Sequence, residues 1–121
     1  MTENLNLFTA TQEVIKEALD KLGYDEGMYE LLKEPLRMIE VRIPIKMDDG
    51  NVKVFTCFRG QHNDAVGPTK VGVRFHPSVT LDEISALSMW MTLQAGIIHF
   101  PYGERQGRIT CDPRDMSLVT L

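Results

Sequence analysis

The fold turns on residues 37–60, RMIEVRIPIKMDDGNVKVFTCFRG. Ile39, Val41, Ile43 and Ile45 alternate with Glu40, Arg42, Pro44 and Lys46, the period of two that sends successive side chains to opposite faces of a strand. The second half, VKVFTCFRG, reads as another strand, and Asp-Gly in the intervening Asp48-Asp49-Gly50-Asn51 signals a hairpin. Pro44 has no N–H to give to a ladder, so the first strand is expected at a sheet edge or with its Pro44 side unpaired.

Upstream the period changes to a helical one. Leu7, Ala10, Val14, Ala18 and Leu22, with Ile15 and Leu19 beside them, line one face, and Gly23 follows where a helix C-cap prefers glycine. A second short helix, Asp25 to Lys33, must end before Pro35, which pushes its predecessor out of the α region. Downstream, the polar loop QHNDAVGPTK leads to a third strand, Val71 to Phe75. Thr80-Leu81-Asp82-Glu83 is a capping box that starts a helix ending near Gly96. The segment PYGERQGR, 101–108, reads as a loop of long side chains with no evident nucleophile, and a short strand runs from Arg108 to Cys111. Asp115 or Ser117 has the look of a further helix N-cap. The order α-α-β-β-β-α-β predicts an α+β domain, with helices packed on a mixed, largely antiparallel sheet.

Composition narrows the class. The 121 residues make one domain, 43% hydrophobic and 25% charged, and 17 acidic against 13 basic residues leave a net charge of -4. No basic patch invites nucleic acid. The apolar run from Leu87 to Phe100 is too short to span a bilayer, and the N-terminus has no basic signal-peptide region, so a cytoplasmic protein is expected. Cys57 and Cys111 are not in a C-x-x-C pair and are expected as free thiols. His62, His76 and His99 are scattered, and no metal site is expected.

The run EVRIPIKMDDGNVKVFTCFRGQHNDAVGPTKVGVRFHP, followed by ALSMWMTLQAGI, PYG and CDPRDMS, closely resembles the N-terminal part of glutamate dehydrogenases of the Glu/Leu/Phe/Val dehydrogenase family, over roughly residues 10–118. The resemblance implies a substrate-binding and oligomer-forming domain, followed in the family by a separate domain for NAD or NADP. No G-x-G-x-x-G follows a strand here, so residues 1–121 are expected to be that first domain, truncated, with no nucleotide-binding domain and no cofactor of their own.

The resemblance also carries three lysine positions, one at a time. In the pattern G-P-x-K-G-G-x-R-F the lysine is Lys70, which in the family holds the substrate side-chain carboxylate, while the next glycine is Val71. The second lysine, for the substrate α-carboxylate, is replaced by Gln94, which brings no charge. The catalytic lysine of P-Y-G-G-G-K-G-G aligns with Gln106, whose amide cannot do acid/base work, and the surrounding glycines are Glu104, Arg105 and Arg108. The family's catalytic aspartate would lie beyond residue 121. The expectation is therefore a catalytically silent oligomerisation module that does not bind glutamate or 2-oxoglutarate. The alternative is the N-terminal piece of an NAD(P)-dependent glutamate dehydrogenase, or a decayed or engineered remnant of one. Self-association is expected through Met38, Ile39, Val41, Ile43 and Ile45 on the first strand, or through the N-terminal helix.

Overall fold

The computed structural model describes residues 6–117. Helix α1 spans Leu7–Leu22. Asn6 caps it, its side chain accepting from the Phe8 N–H while its Nδ2 donates to Asp82 Oδ2 at 3.0 Å. Gly23 closes the helix at φ 75°, a left-handed conformation open to glycine without a Cβ penalty. Thr11, Ile15 and Leu19 recur every four residues and form its buried stripe. Helix α2, Glu26–Leu32, starts at an Asp25 cap.

Four strands follow: β1 Arg37–Lys46, β2 Val52–Asn63, β3 Thr69–His76 and β4 Gly103–Thr110. They form one sheet in the order β1-β2-β4-β3. The β1/β2 hairpin and the β2/β4 pair are antiparallel, whereas β3 and β4 run parallel. A parallel pair needs a crossover, and helix α3, Leu81–Ile97, supplies it. Pro44 lies in β1, which is an edge strand as expected.

All of this makes an α+β domain with its helices on one side of a mixed sheet. Ile84, Ala86, Ser88 and Met89 of α3 are fully buried, and α1 packs on α3 through Ile15, Leu19 and Met89. Burying each large aliphatic side chain contributes roughly 1.5–3 kcal/mol, so this seam holds the layers together. Trp90 Nε1 donates to Thr11 Oγ1 at 3.0 Å, giving the seam a polar pin.

Three local readings are corrected. The stretch taken as a loop up to Arg108 is already strand from Gly103. Its sequence lacks apolar alternation, but hydrogen bonding to β2 on one side and β3 on the other fixes the backbone regardless of side chain. The capping box is half used. Thr80 Oγ1 accepts from the Glu83 N–H at 3.2 Å, while the Glu83 carboxylate turns to Arg108. Near the C-terminus the cap is Asp112, which starts a 3₁₀ turn at Pro113–Asp115, and any helix beyond Ser117 lies outside the described residues.

Candidate functional site

The three aligned lysine positions fall around the β3/β4 pair and the end of α3. In the parallel ladder Lys70 is the partner of Glu104, Val71 of Arg105 and Gly72 of Gln106. Gln94 lies exposed in the last turns of α3.

Gln106 is at the centre of the sheet. Its cross-strand neighbours are Gly60 on β2 and Gly72 on β3. A Cβ at Gly60 would meet Met38 Sδ at 3.0 Å and Ile84 Cγ2 at 3.1 Å, which shows how closely α3 lies on this row. A Cβ at Gly72 would stand 3.5 Å from Gln106 Oε1 and 4.0 Å from Met91 Cε. The two glycines thus leave a trough under α3, and the Gln106 side chain occupies it with only 4% of the residue exposed. What sits there is a neutral amide, able to donate and accept hydrogen bonds but not to exchange a proton near neutral pH.

Arg108, two residues on along the strand, lies on the same side. Its side chain is 7% exposed, and Nη1 meets Glu83 Oε1 at 2.9 Å. Glu83 is in the first turn of α3, where the helix dipole favours a carboxylate. The pairing is incomplete, since Arg108 Nε is buried without a partner. Arg105 is half-buried, and its Nε donates to Thr69 Oγ1 on the adjacent strand. Each arginine thus has a partner within the domain. As site residues, Glu83, Thr69 and the glycine pair were not singled out from sequence, although a buried arginine calls for an acid and the first turn of α3 carries two, Asp82 and Glu83.

On the opposite face no described helix covers the sheet. Ile39, Val41, Ile43, Cys57, Val73 and Ile109 line a shallow groove of about 360 Å³. Met38 belongs to the other side, its Sδ 3.8 Å from Ser85 Oγ under α3. Cys57 and Cys111 are free thiols, and burial raises the pKa of each. No group of three potential metal ligands occurs among the described residues. No described helix is long and apolar enough to cross a membrane.

The described residues do not fit a dinucleotide. Among them the parallel unit is a single one, β3-α3-β4. The turn into its helix is Ser78-Val79-Thr80 in place of a glycine-rich loop, and Asp82 and Glu83 in the first helical turn oppose a phosphate.

Comparisons with known proteins identify the class of this helix-covered mixed sheet. The model of the Glu/Leu/Phe/Val dehydrogenase dimerisation domain matches residues 35–121. The chain belongs to that family. It is 69% identical over 118 residues to the NAD-specific glutamate dehydrogenase of Staphylococcus aureus strain COL, covering 98% of this chain and 28% of that protein. It is 67% identical over 119 residues to the catabolic NAD-specific glutamate dehydrogenase of Bacillus subtilis strain 168, with the same coverage of 98% and 28%. Among solved structures, glutamate dehydrogenase from Peptoniphilus asaccharolyticus superposes with a TM-score of 0.90 at 53% identity, covering 94% of this chain and 29% of that one. The hetero-hexameric, leucine-bound enzyme from Thermus thermophilus gives 0.89 at 36% identity, covering 99% and 29%. The chain therefore spans under a third of the length of these relatives.

Proposed function

We propose that this chain is the assembly domain of a glutamate dehydrogenase, silent in catalysis because position 106 no longer carries a proton-transfer group. The observation that carries the reading is the buried Gln106 in the trough between Gly60 and Gly72, at the position the family resemblance assigns to the catalytic lysine. An amide there can hold a substrate oxygen but cannot give or take the proton that carbonyl and iminium chemistry requires. Arg108 and its ion pair fill volume that a glycine would leave open, which argues against a dicarboxylate lying close to β4. Lys70 alone would be left to hold one.

Self-association is supported by the dimerisation-domain match and by the hetero-hexameric relative. The candidate surface is β1, whose outer edge is unpaired in the sheet order and whose Ile39, Val41 and Ile43 stand exposed. An open edge beside apolar side chains is a surface that proteins cover. The test has two arms on the purified chain. Sedimentation should give a mass above the 13.7 kDa of one chain. Glutamate-dependent NADH formation should be absent, and Gln106→Lys alone should not restore it, because Gln94 brings no charge to the second carboxylate-binding position and Arg108 fills space beside β4. A concentration-independent monomer refutes the assembly role, and turnover by the unmodified chain refutes the silence.

A further inference from the structure

We propose that His62 is a proton-sensitive latch that holds helix α2 and the turn after it against the sheet. The placement comes from an irregularity in β2. The β2/β4 register shifts between Gln61 and Asn63, leaving His62 as the extra residue of a bulge, and bulges re-aim the side chain they carry. Here the imidazole is driven inward, with 1% of the residue exposed.

From that position His62 grips the turn 33–36 at both ends. Its Nε2 lies 2.9 Å from the Leu32 carbonyl at the end of α2, and its own carbonyl accepts from the Leu36 N–H at 3.1 Å. Gln12 Nε2 adds a third tie, to the Lys33 carbonyl at 2.7 Å. A carbonyl facing Nε2 fixes the tautomer, since that nitrogen must carry the hydrogen and donate it. Nδ1 is then bare, and it is buried without a partner. A second proton on Nδ1 would find no acceptor and would place a charge away from water.

Charged residues on the surrounding elements are Lys16 on α1, Glu30, Lys33 and Glu34 on α2 and its turn, Arg37 on β1 and Arg105 on β4. The imidazole's proton affinity is lowered by burial first and raised only by the Leu32 carbonyl, with no charge among the causes. The sign follows. With the closed-state pKa below the free value of about 6.5, the latch is fully closed above that pH and weakens as pH falls below it, about tenfold in the opening equilibrium per pH unit until the closed-state value is reached.

Amide exchange measured by NMR, corrected for intrinsic rates, tests this on the intact chain. Protection at Leu36 and Lys33 should fall by up to about fivefold between pH 6.5 and 5.5, following the linkage relation, while Met89 in the core keeps its protection. His62→Gln retains a donor for the Leu32 carbonyl and His62→Phe retains bulk, and in both the pH dependence should vanish. An unchanged pH dependence in either variant overturns the proposal. Should neither variant fold, the native chain decides: a ring that titrates at about 6.5 while Leu36 stays protected overturns it as well.

Discussion

The Arg108–Glu83 pair should respond asymmetrically to loss of either partner. Arg108 is the buried member at 7% side-chain exposure and Glu83 the outer one at 35%. E83Q leaves the guanidinium under α3 with a neutral acceptor and no counter-charge. Stranding one member of a fully buried pair costs about 3–5 kcal/mol, and solvent access from the Glu83 side reduces that to about 2 kcal/mol here. R108M removes the charge and the orphaned Nε while keeping the length of the side chain. Glu83 can then turn to water and still favour the helix N-terminus, so the change should stay within about 1 kcal/mol of neutral. Urea denaturation of both single variants and the double variant gives these terms and their coupling. On heating, E83Q should melt about 6–12 °C lower, from about 3–6 °C per kcal/mol for a domain of intermediate size. The reasoning fails if R108M is as destabilising as E83Q, since that would mean that the guanidinium contributes through packing and not through its charge.

Two further tests probe the strand entry and the C-terminal turn. A Cβ on Gly103 would lie 2.5 Å from the Asn63 carbonyl oxygen and 2.9 Å from Asp64 Cα, both backbone atoms, so Gly103→Ala should lose about 2–3 kcal/mol in denaturant titration. Gly96→Ala, which meets nothing within 4 Å on a helix, should instead gain about 0.5–1 kcal/mol. Asp112 is held down to a pKa of about 2, chiefly by its side-chain hydrogen bonds with Arg114. Its stabilising effect is present above the unfolded carboxyl value and lost as pH falls through about 2, and NMR should find the titration moved back up in Arg114→Ala.

Elements written in local chemistry could be read from the chain. The hairpin followed from alternation and Asp-Gly, α1 from its apolar stripe and Gly23, and the start of α3 from Thr80. The start of β4 could not be read this way. Glu104-Arg105-Gln106 has no strand period, and only pairing on both edges makes it one. Face assignment failed at Met38 for a related reason. Alternation gives two faces but does not say which one a helix crossing back from β3 will cover, and Met38 lies on the covered one. The polar residues of the site are a third case. Arg105 and Arg108 resemble surface charges until the sheet brings Thr69 alongside one and α3 brings Glu83 to the other. His62 lies beyond reach of any pattern, because a bulge shows itself only against its partner strand.

Residues 104–106 and 108 of β4 depart from the family's pattern within one short stretch, while Val71 and Gln94 depart from it elsewhere. Glu-Arg-Gln-Gly-Arg can be written GAG CGG CAA GGG CGG. Read one base later, these letters give AGC GGC AAG GGC GG, which is Ser-Gly-Lys-Gly with the opening of another glycine codon. The lysine then falls at position 106, in the glycine setting of the family motif. We expect the gene to carry these codons across 104–108, bounded by two compensating one-base shifts, and sequencing the coding strand decides it. CAG at position 106 would rule it out, because its shifted reading followed by guanine is arginine. On this account the block was never selected for a new ligand, and the physical question is why the fold bears it. Backbone pairing holds β4 whatever its side chains, Gly60 and Gly72 leave room for a long residue at 106, Thr69 accepts from Arg105, and Glu83 meets Arg108. Among the described residues of β4, the buried Arg108 Nε and Thr110 Oγ1 are left without partners.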